Sequence, residues 1–186
     1  MEGDLRRGLS GRLKSMPRGL CAFLVLMPVV VSGTGLYLVA GSGADQPLSR
    51  GVVVVLGSTH RGDRLELAGN LAKHDRSLLI SSYEYCAIND YSAFKKYAHR
   101  ACFRPAPLTT QGEARFVVDY ALKNDLDSIT VITTADQARR ARVRFGRCWS
   151  KRLAVVVAPA SVEVVLARLP YEAAASVKAA VFQRSC

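Results

Sequence analysis

The stretch "VVVVLG", Val52 to Gly57, restricts the fold more than any other part of the chain. A strand with no alternating polar position must be covered on both faces, which in water is achieved inside a parallel sheet flanked by helices. Comparable runs follow in "SLLISS" (Ser77–Ser82), "SITVIT" (Ser128–Thr133) and "LAVVVAPA" (Leu153–Ala160). Between them lie helical patterns. "DRLELAGNLAKH" sets Leu65, Ala68 and Ala72 on one face with Leu67 and Leu71 beside them, and Asp63 suits an N-cap or first turn. "TTQGEARFVVDYALKNDL" carries a stripe of Ala114, Val117, Val118, Ala121 and Leu122 behind a threonine cap, and "ADQARRARVRFGRC" is a strongly basic helix. Val162 to Phe182 reads as a helix interrupted at Pro170. Strands alternating with helices predict an α/β domain, an open parallel sheet with helices on both faces. Tyr83 to Pro107 is the least regular region, with one or two helical turns at "YSAFKKYA"; a loop this long is functional or pinned.

At 186 residues the chain holds one such domain and an appendage, and 49% hydrophobic residues suffice for a core. The appendage is amino-terminal. Residues 1–18 carry five basic side chains against Glu2 and Asp4, a net +3 of the total +11. Gly19 to Gly41 then runs without a charge, and at about 1.5 Å per residue it is long enough for a hydrocarbon core of about 30 Å. A buried core helix is the alternative, but Pro28, Gly33 and Gly35 suit a membrane span better than a soluble helix. The basic flank precedes the span, which puts residues 1–18 in the cytoplasm and the domain outside, a single-pass protein of the cell membrane. "SGA" at Ser42–Ala44 could serve a signal peptidase, although the apolar run favours an uncleaved anchor. The expected organisation is a cytoplasmic tail (1–18), an anchor (19–41), a tether (42–50) and an α/β domain (51–186).

Outside the anchor lie Cys86, Cys102, Cys148 and Cys186, an even number in a compartment where disulfides persist. Three pairings are open, as is the unpaired state. Cys86 with Cys102 closes the shortest loop, worth about 3 kcal/mol.

In an open parallel sheet, ligands bind beyond the carboxyl ends of the strands. That rule selects Gly57, Ser58 and Thr59 after the first strand, Ser81 and Ser82 after the second, and Thr133 and Thr134 after the third. Thr109, Thr110 and Glu113 open the next helix, where N–H groups and the helix dipole favour an anion. Each has a plainer reading too: Gly57 as a turn, and Thr109 or Thr110 as an N-cap with Glu113 completing a capping box. Of the arginines in "RRARVRFGR", Arg140, Arg144 and Arg147 share one side, by itself the mark of a solvated face. Nucleic acid is the alternative for so basic a protein but is not expected, since an outside domain rarely meets it; anionic lipid headgroups or phosphorylated precursors suit the location better. There is no Walker A loop, no complete G-x-G-x-x-G, no G-x-S-x-G elbow and no metal-binding histidine pair, so no metal is expected. His60 could act as a base, or simply occupy the surface.

The order "VVVVLG", Arg64 with Ala68, "LLIS", "TTQGEA" and "VITTADQARRA" resembles the YdcF/SanA/ElyC family of bacterial domains, over about Gly51 to Val157; "CF" at Cys102 and "RC" at Cys148 look like its actinobacterial branch. The resemblance implies a Rossmann-like domain, tethered by one membrane helix and facing outward, linked to envelope integrity and to peptidoglycan or surface-polysaccharide metabolism. It also implies ligand-binding roles for Gly57, Ser58, Arg64, Thr110, Thr134, Gln137 and Arg140, with Glu113 or His60 left for acid–base work. One cytoplasmic type is reported to bind S-adenosylmethionine; an outward domain does not meet that cofactor, so none is expected. The family's later element usually reads T-S-x-x-H-x-x-R-A, and here Gln137 replaces the histidine and Thr134 the serine. An amide exchanges no proton near neutral pH. The expected function is recognition of an anionic, phosphate-bearing envelope metabolite, with a non-catalytic envelope scaffold as the alternative.

Overall fold

The computed structural model describes residues 43–57, 62–72, 77–81, 100–181 and 184–186, together with Gly33. Nine elements lie in these stretches: β1 (Val52–Val55), α1 (Gly62–Leu71), β2 (Ser77–Ser81), β3 (Arg100–Phe103), α2 (Thr110–Lys123), β4 (Ser128–Thr133), α3 (Ala135–Cys148), β5 (Arg152–Val157) and α4 (Val162–Val181). The sheet order is β3-β2-β1-β4-β5 and every pairing is parallel, a Rossmann-like α/β architecture.

The "VVVV" run is the central strand, and all four valines are buried. Its side chains divide between two cores. Val52 and Val54 join Leu79, Ile129, Val131 and Val155 beneath α2 and α3. Val53 and Val55 join Leu78 and Ile132 beneath Leu65 and Ala68 of α1 and Ala72 just after it. A strand sandwiched in this way has no polar position to offer, which is why its sequence does not alternate. In α2, Ala114, Val117, Val118 and Ala121 are buried as the stripe predicts, but Leu122 lies at its margin and is exposed.

Two expectations are corrected. The sheet has a fifth strand, β3, inside the region read as irregular; it is a four-residue edge strand paired only with β2, too short for a period to be read. Phe103 on it stacks on Phe116 of α2 with ring centroids 4.1 Å apart. The last helix continues through Pro170 instead of breaking there, because that residue is on the exposed side, where water can take up the carbonyl it leaves unbonded. The described part of the expected tether, residues 43–50, is fastened to the domain. Asp45 exchanges hydrogen bonds with Val155 on edge strand β5, the Asp45 N–H donating at 3.0 Å and the Val155 N–H donating to its carboxylate at 2.8 Å. Arg142 reaches that carboxylate at 2.9 Å and the Gly43 carbonyl at 2.8 Å.

A disulfide joins Cys148, at the end of α3, to Cys186, with Cα atoms 4.8 Å apart. Cys102 is disulfide-bonded as well; Cys86, the partner favoured by loop length, lies outside the described residues. No helix among the described residues is long and apolar enough to cross a membrane, and the proposed anchor, Gly33 apart, falls outside them.

Candidate functional site

In this strand order the chain leaves β1 toward β2 and β3 but returns to β4 and β5 on the other side, so the loops after β1 and β4 diverge and open a crevice. A cavity of about 430 Å³ occupies it. Gly57 follows β1 and Ser81 ends β2; α2 contributes its first turn, α3 contributes Gln137, Arg140 and Arg144, and α4 closes the far side.

Glu113 forms the floor. The N-cap of α2 is Thr109, whose hydroxyl accepts the Gly112 N–H at 3.3 Å. Glu113 is therefore one position past the place from which a capping-box carboxylate folds back, and the capping-box reading is set aside. Its Oε1 instead accepts the Gly57 N–H at 2.8 Å and the Ser81 hydroxyl at 2.5 Å, tying together the ends of β1, β2 and the start of α2. The residue is 6% exposed. Burial pushes its carboxyl above the ordinary carboxylate range, against the pull of Ser81, the Gly57 N–H, Arg140 and Arg64.

Gly57 is more than a turn. A Cβ there would lie 2.8 Å from the Ser81 carbonyl oxygen and 3.4 Å from Glu113 Oε1. Only a residue without a side chain lets the backbone come close enough for its N–H to reach the carboxylate.

Arg64 is placed as an internal brace, behind the cavity wall. It is 1% exposed and does not line the cavity. It donates to the Leu56 carbonyl at 3.1 Å and to Thr134 Oγ1 at 2.5 Å, fastening the end of β1 to the start of α3. Burial lowers its pKa to about 10, with Asp136, Glu113 and Glu172 supporting the charge and Arg168 opposing it. Thr134 likewise lies off the cavity wall: it is 4% exposed, and its hydroxyl serves Arg64 and makes no cap bond for α3. Gln137, where relatives of the resembled family carry histidine, accepts the Thr133 hydroxyl at 3.1 Å and lines the cavity.

The basic face of α3 is not simply solvated. Arg140 pairs with Glu172 of α4 at 3.2 Å, and Arg147 donates to the Ala179 carbonyl at 2.9 Å. Glu172 is fully buried; burial raises its pKa and neighbouring Asp136 adds to the rise, while Arg140 and Arg168 pull the other way. Arg168 Nε lies 3.6 Å from the Asp136 carboxylate. This network holds α4 against α3 and aims basic side chains at the cavity. Its wall carries Arg104, Arg140, Arg144, Arg168 and Lys178, with Glu113 the one carboxylate among the described lining residues. Leu108 and Tyr171, 67% and 63% exposed, belong to the same wall.

The cavity thus brings together Gly57, Ser81, Thr109, Thr110, Glu113, Gln137, Arg140 and Arg144 of the residues singled out from sequence. Ser58 and His60 lie outside the described residues. Ser81 is selected by the strand-end rule, and Ser82 and Thr59, selected with it, also lie outside the described residues. Arg104 and the α4 side chains were missed: Arg104 follows the unrecognised strand, and in α4 only the i,i+4 spacing of Arg168 and Glu172 hinted at a charged face. Neither a protein-family model nor a curated protein matches the chain.

Proposed function

We propose that the cleft binds a phosphate-bearing anionic metabolite of the cell envelope, in a membrane-anchored, outward-facing protein of the YdcF/SanA/ElyC type. The observation that carries this reading is the charge of the cavity wall, five basic side chains and one carboxylate gathered from separate elements. Two unit charges 4 Å apart interact by about 4 kcal/mol at an effective dielectric of 20, so several such cations favour a multiply charged oxyanion over a neutral ligand. The first turn of α2, at Thr110, adds its N–H groups and dipole in the same direction. Leu108 and Tyr171 on the wall suit a ligand with an apolar or planar portion beside its phosphate. The fastening of Gly43 and Asp45 supports a membrane source, because an anchor ending at Gly41 would leave only Ser42 as slack.

The alternative, a non-catalytic scaffold for envelope enzymes, draws on Gln137, an engaged amide that cannot relay protons. Titration calorimetry on the full chain in detergent, with inorganic phosphate, pyrophosphate and farnesyl phosphate, separates the two. Binding that weakens at high salt and falls about tenfold or more in Arg140→Gln supports the cleft, since a charged hydrogen bond is worth about 1.5–3 kcal/mol. No heat with any of the three leaves the scaffold.

A further inference from the structure

We propose that Ser81 is a nucleophile and Glu113 its general base, acting on the phosphoryl group of a phosphate monoester held in the cleft; this rests on the anion-binding reading above. Three observations point to it. The Ser81 hydroxyl is already hydrogen-bonded to Glu113 Oε1 at 2.5 Å, the contact through which a base takes a proton. The carboxylate is oriented by a third group, the Gly57 N–H at 2.8 Å, so nucleophile, base and orienting donor form a chain across β2, α2 and β1. All three residues line the cavity whose wall also carries Arg140 and Arg144, cations suited to stabilising charge on phosphoryl oxygens.

Glu113 ties the ends of β1 and β2 to α2, but the Ser81 hydroxyl is not needed for the backbone pairing that places it, Ser81 with Phe103 in parallel register. Replacing both partners of a buried hydrogen bond by apolar groups of the same shape can be nearly neutral for stability. Burial also raises the affinity of Glu113 for a proton, which makes it a stronger base than an exposed glutamate.

In the first half-reaction the Oγ–P bond forms and the bond from phosphorus to the ester oxygen breaks. Glu113 receives the serine proton and keeps it, while the departing oxygen, in line on the far side of phosphorus, takes a proton from solvent water and leaves as an alcohol. In the second, the hydroxide left from that water attacks phosphorus from the same far side and the Oγ–P bond breaks. Glu113 returns its proton to Oγ as inorganic phosphate leaves. The sum is a phosphate ester and water giving an alcohol and phosphate, with Glu113 a carboxylate at both ends.

The test uses the full chain in detergent with p-nitrophenyl phosphate and farnesyl phosphate, following phosphate release, acid-quenched peptide mass and, by calorimetry, inorganic-phosphate binding. The expected results are release by the wild type, a phosphoryl adduct on the peptide carrying Ser81, and a rate limb that falls as Glu113 becomes protonated. Ser81→Ala and Glu113→Gln should each lose about a hundredfold or more in kcat. Ser81→Ala should still bind inorganic phosphate within about threefold of wild type, a change under 1 kcal/mol. Wild type that binds phosphate yet gives neither release nor adduct overturns the chemistry and leaves the binding reading intact. Release by Ser81→Ala at the wild-type rate overturns it too. Wild type that binds no phosphate removes both readings. Should the variants not fold, the wild-type adduct decides alone.

Discussion

Replacing Glu113 by glutamine isolates the electrostatic cost of the cleft floor. Glu113 is 6% exposed, and its carboxyl titrates above its ordinary value of 4.5 because burial penalises the ion more than its partners favour it. Between 4.5 and the folded-state value the native protein binds more protons than the unfolded chain. Stability from this group is therefore lost as pH rises through that window, and the loss is complete above the folded-state pKa. Each unit of elevation is worth about 1.4 kcal/mol. Glu113→Gln has no such term, while its side-chain oxygen remains available to the Gly57 N–H and the Ser81 hydroxyl. Subtracting wild type from variant cancels the similar contribution of Glu172, whose pKa burial also raises. The stability of the variant relative to wild type should rise with pH from about 4.5 and then level off, by about 2–4 °C in Tm per kcal/mol for a chain of this size. Thermal melts of both proteins across a pH series measure it. A difference that is flat, or that shrinks as pH rises, refutes the placement of an ionisable group with an upward-shifted pKa at this position.

Three further perturbations test the surrounding structure. Gly57→Ala sets a Cβ 2.8 Å from a carbonyl oxygen held in the sheet, and should cost about 1–3 kcal/mol in urea denaturation; an unchanged midpoint would show that the close approach is not real. Arg64→Met removes the brace between Leu56 and Thr134 and should cost about 3 kcal/mol or more, yet leave phosphate affinity in the folded fraction within about threefold, whereas Arg140→Gln loses about tenfold. Equal losses of affinity in the two variants would return Arg64 to the ligand. Replacing Cys148 and Cys186 by serine opens a loop of 38 residues and should lower stability by about 4 kcal/mol on chain entropy; a loss below about 1 kcal/mol would mean that the ion pairs of α4 hold the helix without the bridge.

The sheet was legible wherever burial on both faces left a mark. Val52–Val55, Leu78–Leu79 and Ile129–Ile132 read as strands because a covered central strand excludes polar residues along its length, apart from threonine, which packs like valine. Edge strand β3 escaped because Arg100–Phe103 is four residues long and pairs on one side only, so neither length nor composition separates it from the loop before it. Pro170 misled in the opposite direction: a proline forbids one hydrogen bond, and on an exposed face that loss does not end a helix already docked through Glu172 and Ala179.

At the site, sequence located residues but not their duties, because duty depends on which atoms a side chain can reach. Thr109 and Thr110 are equally good caps by composition. With Thr110 as N-cap, Glu113 would occupy the third helical position and its carboxylate would be spent on the helix's own first turn. With Thr109 as N-cap the carboxylate is released, and Gly57 and Ser81 come within its reach. Arg64 and Arg140 diverge by the same logic. Both are arginines on helices beside the cleft, but Arg64 meets a strand-end carbonyl and a threonine before it can reach the cavity, whereas Arg140 meets Glu172 at the cavity wall. A mutation that moved the cap by one residue, Thr109→Ala with Thr110 retained, should therefore disturb the Gly57–Glu113–Ser81 chain as well as the helix end. The helix-end loss alone is about 1 kcal/mol. If the cap also sets the carboxylate, the pH-dependent difference between wild type and Glu113→Gln should shrink when both carry Thr109→Ala, and an undiminished difference would show that Glu113 is positioned independently of its helix cap.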